Sequence, residues 1–302
     1  MRVVVTGAGG NIGAPLVRAL RERGDDVLSI DTKPAYRSEY VCADIRNSVD
    51  MFGLLDWQPE VVFHLASMVS RVTCEAAPSM AIDTNLVGLQ NVIELTKRAG
   101  ARLVYFSTSE VYGNTRGVMR ETMPCEPNNR YGLSKLLGEK LVEYEVAENK
   151  LDAITLRPFM MYDEAEDIGA HRSAMIRFAH DLARGIPVEV HQGSARGWLH
   201  VSDAMRAIIS AGDYRGEYTI VNIGNPDVRP IADLATMMIE RYDASPSLLR
   251  VTPQPGRMTL VKDPCLERQD RILGVTPSVM LEDGVERVCS AMLRRIADTE
   301  RA

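Results

Sequence analysis

The run Met1-Arg2-Val3-Val4-Val5-Thr6 passes directly into Gly7-Ala8-Gly9-Gly10-Asn11-Ile12-Gly13, and a helical pattern follows at once. An apolar β-branched run this short reads as a buried strand. The glycines permit a tight turn and let backbone amides approach an anion, and the next helix presents its partly positive N-terminus to the same place. Strand, glycine turn and helix in that order mark the opening of a dinucleotide-binding βαβ unit. Gly7, Gly10 and Gly13 are therefore expected to line a cofactor.

The rest of the first half keeps the alternation. Strands are expected at Val3–Thr6, Val27–Ile30, Val61–Leu65, Leu103–Ser107 and Ala153–Leu156, with helices near Ile12–Arg23, Ser79–Ala99 and Tyr131–Asn149. Short apolar runs alternating with longer helical ones predict an α/β fold, a doubly wound parallel sheet of the Rossmann type covered on both faces. After Arg157-Pro158 the alternation weakens. The expected division is residues 1–157 as the nucleotide-binding domain and 158–302 as mainly a smaller α/β substrate lobe, with a return to the first domain near 197–223. Helices near Arg172–Arg184, from Pro230 and near Val279–Ile296 belong to that lobe, and Leu273-Gly274 with Pro277 marks a helix stop.

A formal net charge of −6 argues against general attraction to nucleic acid. No apolar run reaches the roughly 18 residues of a membrane span, and the strand beginning at Met1 leaves no room for a leader. The five cysteines, Cys42, Cys74, Cys125, Cys265 and Cys289, are scattered and lack metal or redox spacing. These features predict a soluble, cytoplasmic protein with no nucleic-acid or membrane partner.

Asp31 ends the second strand about 20 residues beyond the glycines, where a carboxylate accepts hydrogen bonds from the ribose hydroxyls and repels a 2′-phosphate, so NAD is expected over NADP. Lys33 nearby works against that preference. Asp44-Ile45, after a short third strand, are candidates for the adenine edge and face. Tyr131 and Lys135, four residues apart, share one helix face, and an ammonium beside a phenol would lower its pKa from about 10 toward working pH. The run Phe106-Ser107-Thr108-Ser109-Glu110-Val111-Tyr112-Gly113 turns polar at the C-terminal end of an apolar strand, the edge where open α/β sheets bind ligands.

In these residues the chain resembles the extended short-chain dehydrogenase/reductase family, specifically its NAD-dependent nucleotide-sugar epimerases, dehydratases and decarboxylases. The likeness covers nearly the whole chain. It includes the glycine motif, His64-Leu65-Ala66-Ser67, Asn85, Tyr131 with Lys135, Arg157-Pro158, Arg196-Gly197-Trp198-Leu199-His200-Val201-Ser202-Asp203 and Leu273-Gly274-Val275-Thr276-Pro277. The resemblance implies that Asn11, Ile12, Leu65, Ala66 and Asn85 join the glycines, Asp31, Asp44 and Ile45 around NAD. It implies that Thr108 orients the sugar hydroxyl, that Tyr131 is the base, and that Lys135 tunes the tyrosine and holds the nicotinamide ribose while hydride leaves sugar C4. Ser109 and Glu110 occupy positions where lyases of the family place further catalytic groups. Arg196 matches a diphosphate-binding arginine, Lys262 replaces a second one, and Arg172-Ser173 is similar to a substrate-binding pair in some uronate decarboxylases. A homodimer formed through the helices near 79–99 and 131–149 is likewise implied.

Some positions depart from the family pattern: Met160 replaces the usual Asn, and Asp163-Glu164 replaces Gly-Pro. The favoured reading is a dehydratase or decarboxylase acting through a 4-keto sugar. A nucleotide-sugar 4-epimerase and a non-catalytic NAD-binding regulator stand as alternatives. His64 is read as structural; His171, His191 and His200 form no metal pattern, so no metal is assigned. Cys74 and Cys125 lie near the site by sequence but lack the signs of an activated thiol.

Overall fold

A computed structural model describes residues 1–34, 39–169, 173–253, 256 and 259–301. The first part of the chain runs β1 (Arg2–Thr6), α1 (Gly13–Glu22), β2 (Asp26–Asp31), β3 (Tyr40–Cys42), α2 (Ser48–Phe52), β4 (Val61–His64), α3 (Arg71–Ala76), α4 (Pro78–Ile82), α5 (Gly88–Ala99) and β5 (Arg102–Phe106). It continues through β6 (Val118–Met119), α6 (Arg130–Asn149) and β7 (Ala153–Pro158). The single helix expected over 79–99 is divided: a π-helical turn at Asp83–Val87 separates α4 from α5, a local insertion that often marks a functional region. Gly100, in the left-handed region at φ +66°, ends α5, as glycine does without steric cost.

The second part contains β8 (Met161–Tyr162), α7 (Ala174–Ala183), β9 (Val188–His191), β10 (Ala195–Gly197), β11 (Leu199–His200), α8 (Val201–Asp213), β12 (Ile220–Ile223), β13 (Val228–Pro230), α9 (Ile231–Arg241), β14 (Leu249–Thr252), β15 (Val261–Pro264) and α10 (Leu281–Arg301). Seven strands form one parallel sheet in the order β12-β7-β5-β4-β1-β2-β3. The order reverses between β1 and β4, which opens a crevice at their carboxyl ends.

Period-two alternation assigns the sheet's side chains to two cores. Val3, Val5, Phe63 and Val104 face Leu16 and Leu20 of α1 and Ala207 and Ile208 of α8. Val4, Val62, Leu103 and Tyr105 face Val92 and Ile93 of α5. Each such fully buried side chain contributes about 1.5–3 kcal/mol, so continuous apolar strands are stable only when both faces are covered. A third core holds α7, α9 and α10 together through Phe178, Leu182, Leu234, Met238, Val285 and Val288. The four-stranded sheet β13-β10-β15-β6 carries Arg196 and Lys262 in register on adjacent parallel strands.

Candidate active site

At the crevice, Gly7 takes φ +70°, and a Cβ there would lie 2.7 Å from the Ala66 backbone nitrogen. A Cβ on Gly13 would lie 2.1 Å from the Gly7 carbonyl oxygen. Only glycine allows the turn to fold onto the start of α1 and onto the chain leaving β4. The first turn of α1 has no acidic residue, and Ile12 at its N-cap provides no side-chain cap, so its amides are suited to an anion. The cleft in front of them has a volume of about 540 Å³. Gly7, Gly10, Asn11, Ile12 and Gly13 line one side, and Asp31, Asp44, Ile45, Leu65 and Ala66 line the other. The Asp31 carboxylate accepts the Gly9 amide at 2.9 Å and the Lys33 amide at 3.2 Å. This glycine cradle, with an uncapped helix end and a carboxylate at the tip of β2, fits the pyrophosphate and ribose of a dinucleotide.

Two features of the cleft differ from the sequence reading. Asn85 does not line it: this buried side chain accepts the Met68 amide at 2.7 Å and donates to the Met68 carbonyl at 3.1 Å and to Ser134 Oγ at 2.9 Å. The π turn rotates Asn85 inward, where it ties the chain after β4 to α6. Conversely, Thr32, Arg46, Val69, Met80 and Thr84 join the lining, and no motif signals these residues because they meet only through folding. Arg46 chelates Asp44, with its Nη2 at 2.6 Å, and holds the Asp44 carboxyl below its usual range.

Asn129 caps α6 by accepting the Gly132 amide at 2.9 Å. The next residues place Tyr131 and Lys135 under the end of β5. Lys135 is 2% exposed. Its Nζ donates to the Phe106 carbonyl at 2.8 Å and lies 5.2 Å from the Tyr105 ring centre. Burial lowers its pKa to about 7, against the attraction of Cys74 and Glu139. The Thr108 hydroxyl is hydrogen-bonded to the Tyr131 phenol. The expected lowering of the Tyr131 pKa by Lys135 does not occur here: burial raises it well above the ordinary value, and the Thr108 hydroxyl opposes this only in part. Lys135 directs its hydrogen bond to the strand carbonyl of Phe106, and burial rather than this neighbour sets the phenol.

Glu110 follows Thr108 and Ser109 in a short 3-10 turn. Its carboxylate pairs with Lys262 of β15 and accepts Asn129 Nδ2 at 2.8 Å. Lys262 Nζ also reaches Ser109 Oγ at 3.3 Å. Lys262 is the main reason the Glu110 pKa falls to about 2, with burial opposing. At Lys262 itself burial dominates and lowers the pKa despite Glu110. A carboxylate held this low is a poor proton acceptor, so Glu110 stands here as a paired anion rather than a free general base. Arg196, placed by resemblance at a diphosphate, instead donates to the carbonyls of Ala195, Leu260 and Thr259 at 2.6–2.8 Å. Burial lowers its pKa to about 10. Lys262 likewise faces Glu110 and Ser109 rather than standing free. Arg172 lies outside the described residues.

The remaining candidates settle into local structure. His64 Nδ1 lies 2.9 Å from Thr6 Oγ1, and burial lowers its pKa to about 3, so the ring is neutral. Burial raises the thiols of Cys74 and Cys125, the opposite of an activated nucleophile. Glu164, one of the departures from the family pattern, pairs with His200 at 3.1 Å. Among the described residues no group of three or more His, Cys, Asp or Glu is placed to hold a metal, and no helix is long and apolar enough to cross a membrane. Asn129 was missed in the sequence, although an Asn just before a helical run is a recognisable N-cap.

A family model for the NAD-dependent epimerase/dehydratase family matches residues 3–224. UDP-glucose 4-epimerase of Mycolicibacterium smegmatis is 28% identical over 309 residues, covering 95% of this chain and 97% of that protein. UDP-glucuronic acid decarboxylase 4 of Arabidopsis thaliana is 27% identical over 313 residues, covering 98% of this chain and 69% of that protein. The solved structure of MoeE5 with UDP-glucuronic acid and NAD is 26% identical, with a TM-score of 0.89, and covers 98% of this chain and 100% of that chain.

Proposed function

The chain belongs to the NAD-dependent epimerase/dehydratase family, and from that premise we propose that it acts as a decarboxylating lyase on a uronate carried by a nucleoside diphosphate, through a transient 4-keto sugar. NAD held by the glycine cradle and Asp31 would supply the hydride acceptor for sugar C4 and the hydride's return. Tyr131 exchanges the proton of the 4-hydroxyl as a phenolate, which burial alone disfavours and the positive charge of a bound oxidised nicotinamide would favour, with the Thr108 hydroxyl donating to the phenol oxygen. Lys135 lies one helical turn from Tyr131 on the same helix face, its side chain held at the Phe106 carbonyl, where it would meet the nicotinamide ribose.

The observation that carries the lyase reading is the Glu110–Lys262 pair, which reaches Ser109 beside the Thr108–Tyr131 contact. Hydride transfer at C4 alone does not require an ion pair at this place. A 4-keto uronate is a β-keto acid: the C5–C6 bond breaks, carbon dioxide leaves, the electron pair moves onto the C4 oxygen as an enolate, and C5 then takes up a proton. Loss of water would instead require a base for the C5 proton, a role poorly served by a carboxylate held near pKa 2. Lys262, an ammonium with a lowered pKa, is suited to deliver a proton while Glu110 keeps its charge balanced. Similarity over 98% of this chain to a UDP-glucuronic acid decarboxylase supports this choice.

Similarity to a UDP-glucose 4-epimerase favours the second reading, in which hydride returns to the other face of the ketone. The test incubates the NAD-loaded protein with UDP-glucuronate and a panel of other nucleotide sugars, with products identified by mass and NMR. A product lighter by carbon dioxide is expected. Glu110→Gln should still oxidise C4, seen as reduced nicotinamide, and then stall. An isomeric wild-type product together with an active Glu110→Gln variant would overturn the lyase reading in favour of epimerisation.

A further inference from the structure

Beneath the site runs a second polar network to which neither the cofactor cleft nor the proposed chemistry assigns a part. Glu139 lies one helical turn beyond Lys135 on α6. Its carboxylate accepts Arg157 Nε at 2.9 Å and Nη2 at 2.7 Å, and it also bonds the Ser107 hydroxyl. Ser107 stands between Phe106, whose carbonyl holds Lys135, and Thr108. From Arg157 on β7, Nη1 donates to the Tyr112 hydroxyl at 2.9 Å. That hydroxyl donates to Asn222 Oδ1 of β12 at 2.7 Å. The Asn222 amide donates to the carbonyls of Met119 at 2.9 Å and Cys265 at 3.2 Å. Cys265 directly follows β15, which carries Lys262. The path therefore begins at the helix of Tyr131 and Lys135 and ends at the strand that holds Glu110.

Glu139, Arg157, Tyr112 and Asn222 are all 3% exposed or less. An ion pair buried this deeply is a weak source of stability, because desolvation offsets its attraction and apolar replacements often fold as well. A fully satisfied buried network does fix relative geometry, since each bond tolerates little displacement. We infer that Glu139, Arg157, Tyr112 and Asn222 are positioning residues that set the Lys262–Glu110 pair against the Tyr131–Lys135 helix, so that the step following C4 oxidation occurs in the same pose as oxidation itself. The inference rests on the proposed function only in requiring two stages, oxidation and a later step, which the lyase and the epimerase share.

Tyr112→Phe is the informative variant, since it deletes the bridging hydroxyl and keeps the ring that packs against Phe159. With UDP-glucuronate, or whichever nucleotide sugar the wild type converts, NAD affinity, KM and the single-turnover rate of NAD reduction should stay within about twofold of wild type. The later stage should slow by about tenfold or more, as small misplacements of reacting groups do, so that reduced nicotinamide persists. Equal slowing of both stages, or of neither, would overturn the inference. A substrate-free measurement stands beside it: in NAD-loaded Tyr112→Phe, amide exchange should rise together in segments 109–113 and 261–265. A rise in one segment alone, or in neither, would refute the coupling. A wild type that reduces NAD with no nucleotide sugar would instead defeat the proposed function and leave amide exchange to decide this inference.

Discussion

Lys135→Met is expected to abolish turnover and yet stabilise the protein without cofactor. The native ammonium is buried against the Phe106 carbonyl and the Tyr105 ring, and its pKa falls from 10.5 to about 7. Each pKa unit corresponds to about 1.4 kcal/mol, so keeping this charge well below pH 7 costs up to about 5 kcal/mol. Between pH 7 and 10.5 the unfolded chain holds a proton that the native state has lost, so this group makes wild-type stability rise with pH across that window. By about pH 9 the remaining cost is about 2 kcal/mol. Methionine is one atom shorter and removes the charge, but strands the Phe106 carbonyl at a cost of about 1–3 kcal/mol. Lys135→Met should therefore exceed wild type by about 3 kcal/mol near pH 6, with the difference shrinking toward zero by about pH 9. Urea titrations of both proteins without NAD at the two pH values, with equal slopes confirming comparable unfolding, measure this directly. A variant less stable than wild type near pH 6, or a difference independent of pH, would show that the ammonium is not held at such a cost.

Tyr131→Phe should fold and bind NAD normally while turnover falls by about 10² or more, the usual loss for an acid–base group; near-normal turnover would remove Tyr131 from the chemistry. Asp31→Ala should narrow a preference for NAD over NADP measured by calorimetry, since the carboxylate at the tip of β2 both accepts from a ribose and repels a phosphate; equal wild-type affinities would assign Asp31 to the glycine turn alone. Leu133, Leu137 and Tyr144 recur on one exposed face of α6, at 43%, 42% and 60% exposure, and the proposed homodimer would cover them. Light scattering at micromolar concentration should give twice the chain mass for wild type and the single mass for Leu137→Glu, whereas a monomeric wild type would refute the assembly.

Much of the fold was legible because it rests on local rules. Alternating apolar runs and helical periods indicated the parallel sheet, and the glycines after Thr6 indicated where it opens. The expected strand positions agree with the observed ones to within a residue or two. The division of the helix expected over 79–99 was not legible, because a π turn at Asp83–Val87 requires one extra residue per turn and the apolar pattern hardly registers it. The strand β12 was hidden for a related reason: four residues at Ile220–Ile223 carry too short a pattern to be read until β7 is there to pair with them.

The sequence by itself determined the local motifs of the candidate site: the glycine turn, Asp31, Tyr131 and Lys135 sit where one strand, one turn or one helix dictates their spacing, and Thr108 joins them through the family resemblance. Only the tertiary structure decided what those groups meet. Lys262 reaches Glu110 across 152 residues of chain, and Arg157 of β7 reaches Glu139 of α6 inside the core. Whether Glu110 is a base or a fixed anion, and whether Tyr131 sits beside a charge or in a dry pocket, depends on burial and on distant partners. Electrostatic energies vary with distance and dielectric, and neither is encoded in any local stretch of sequence.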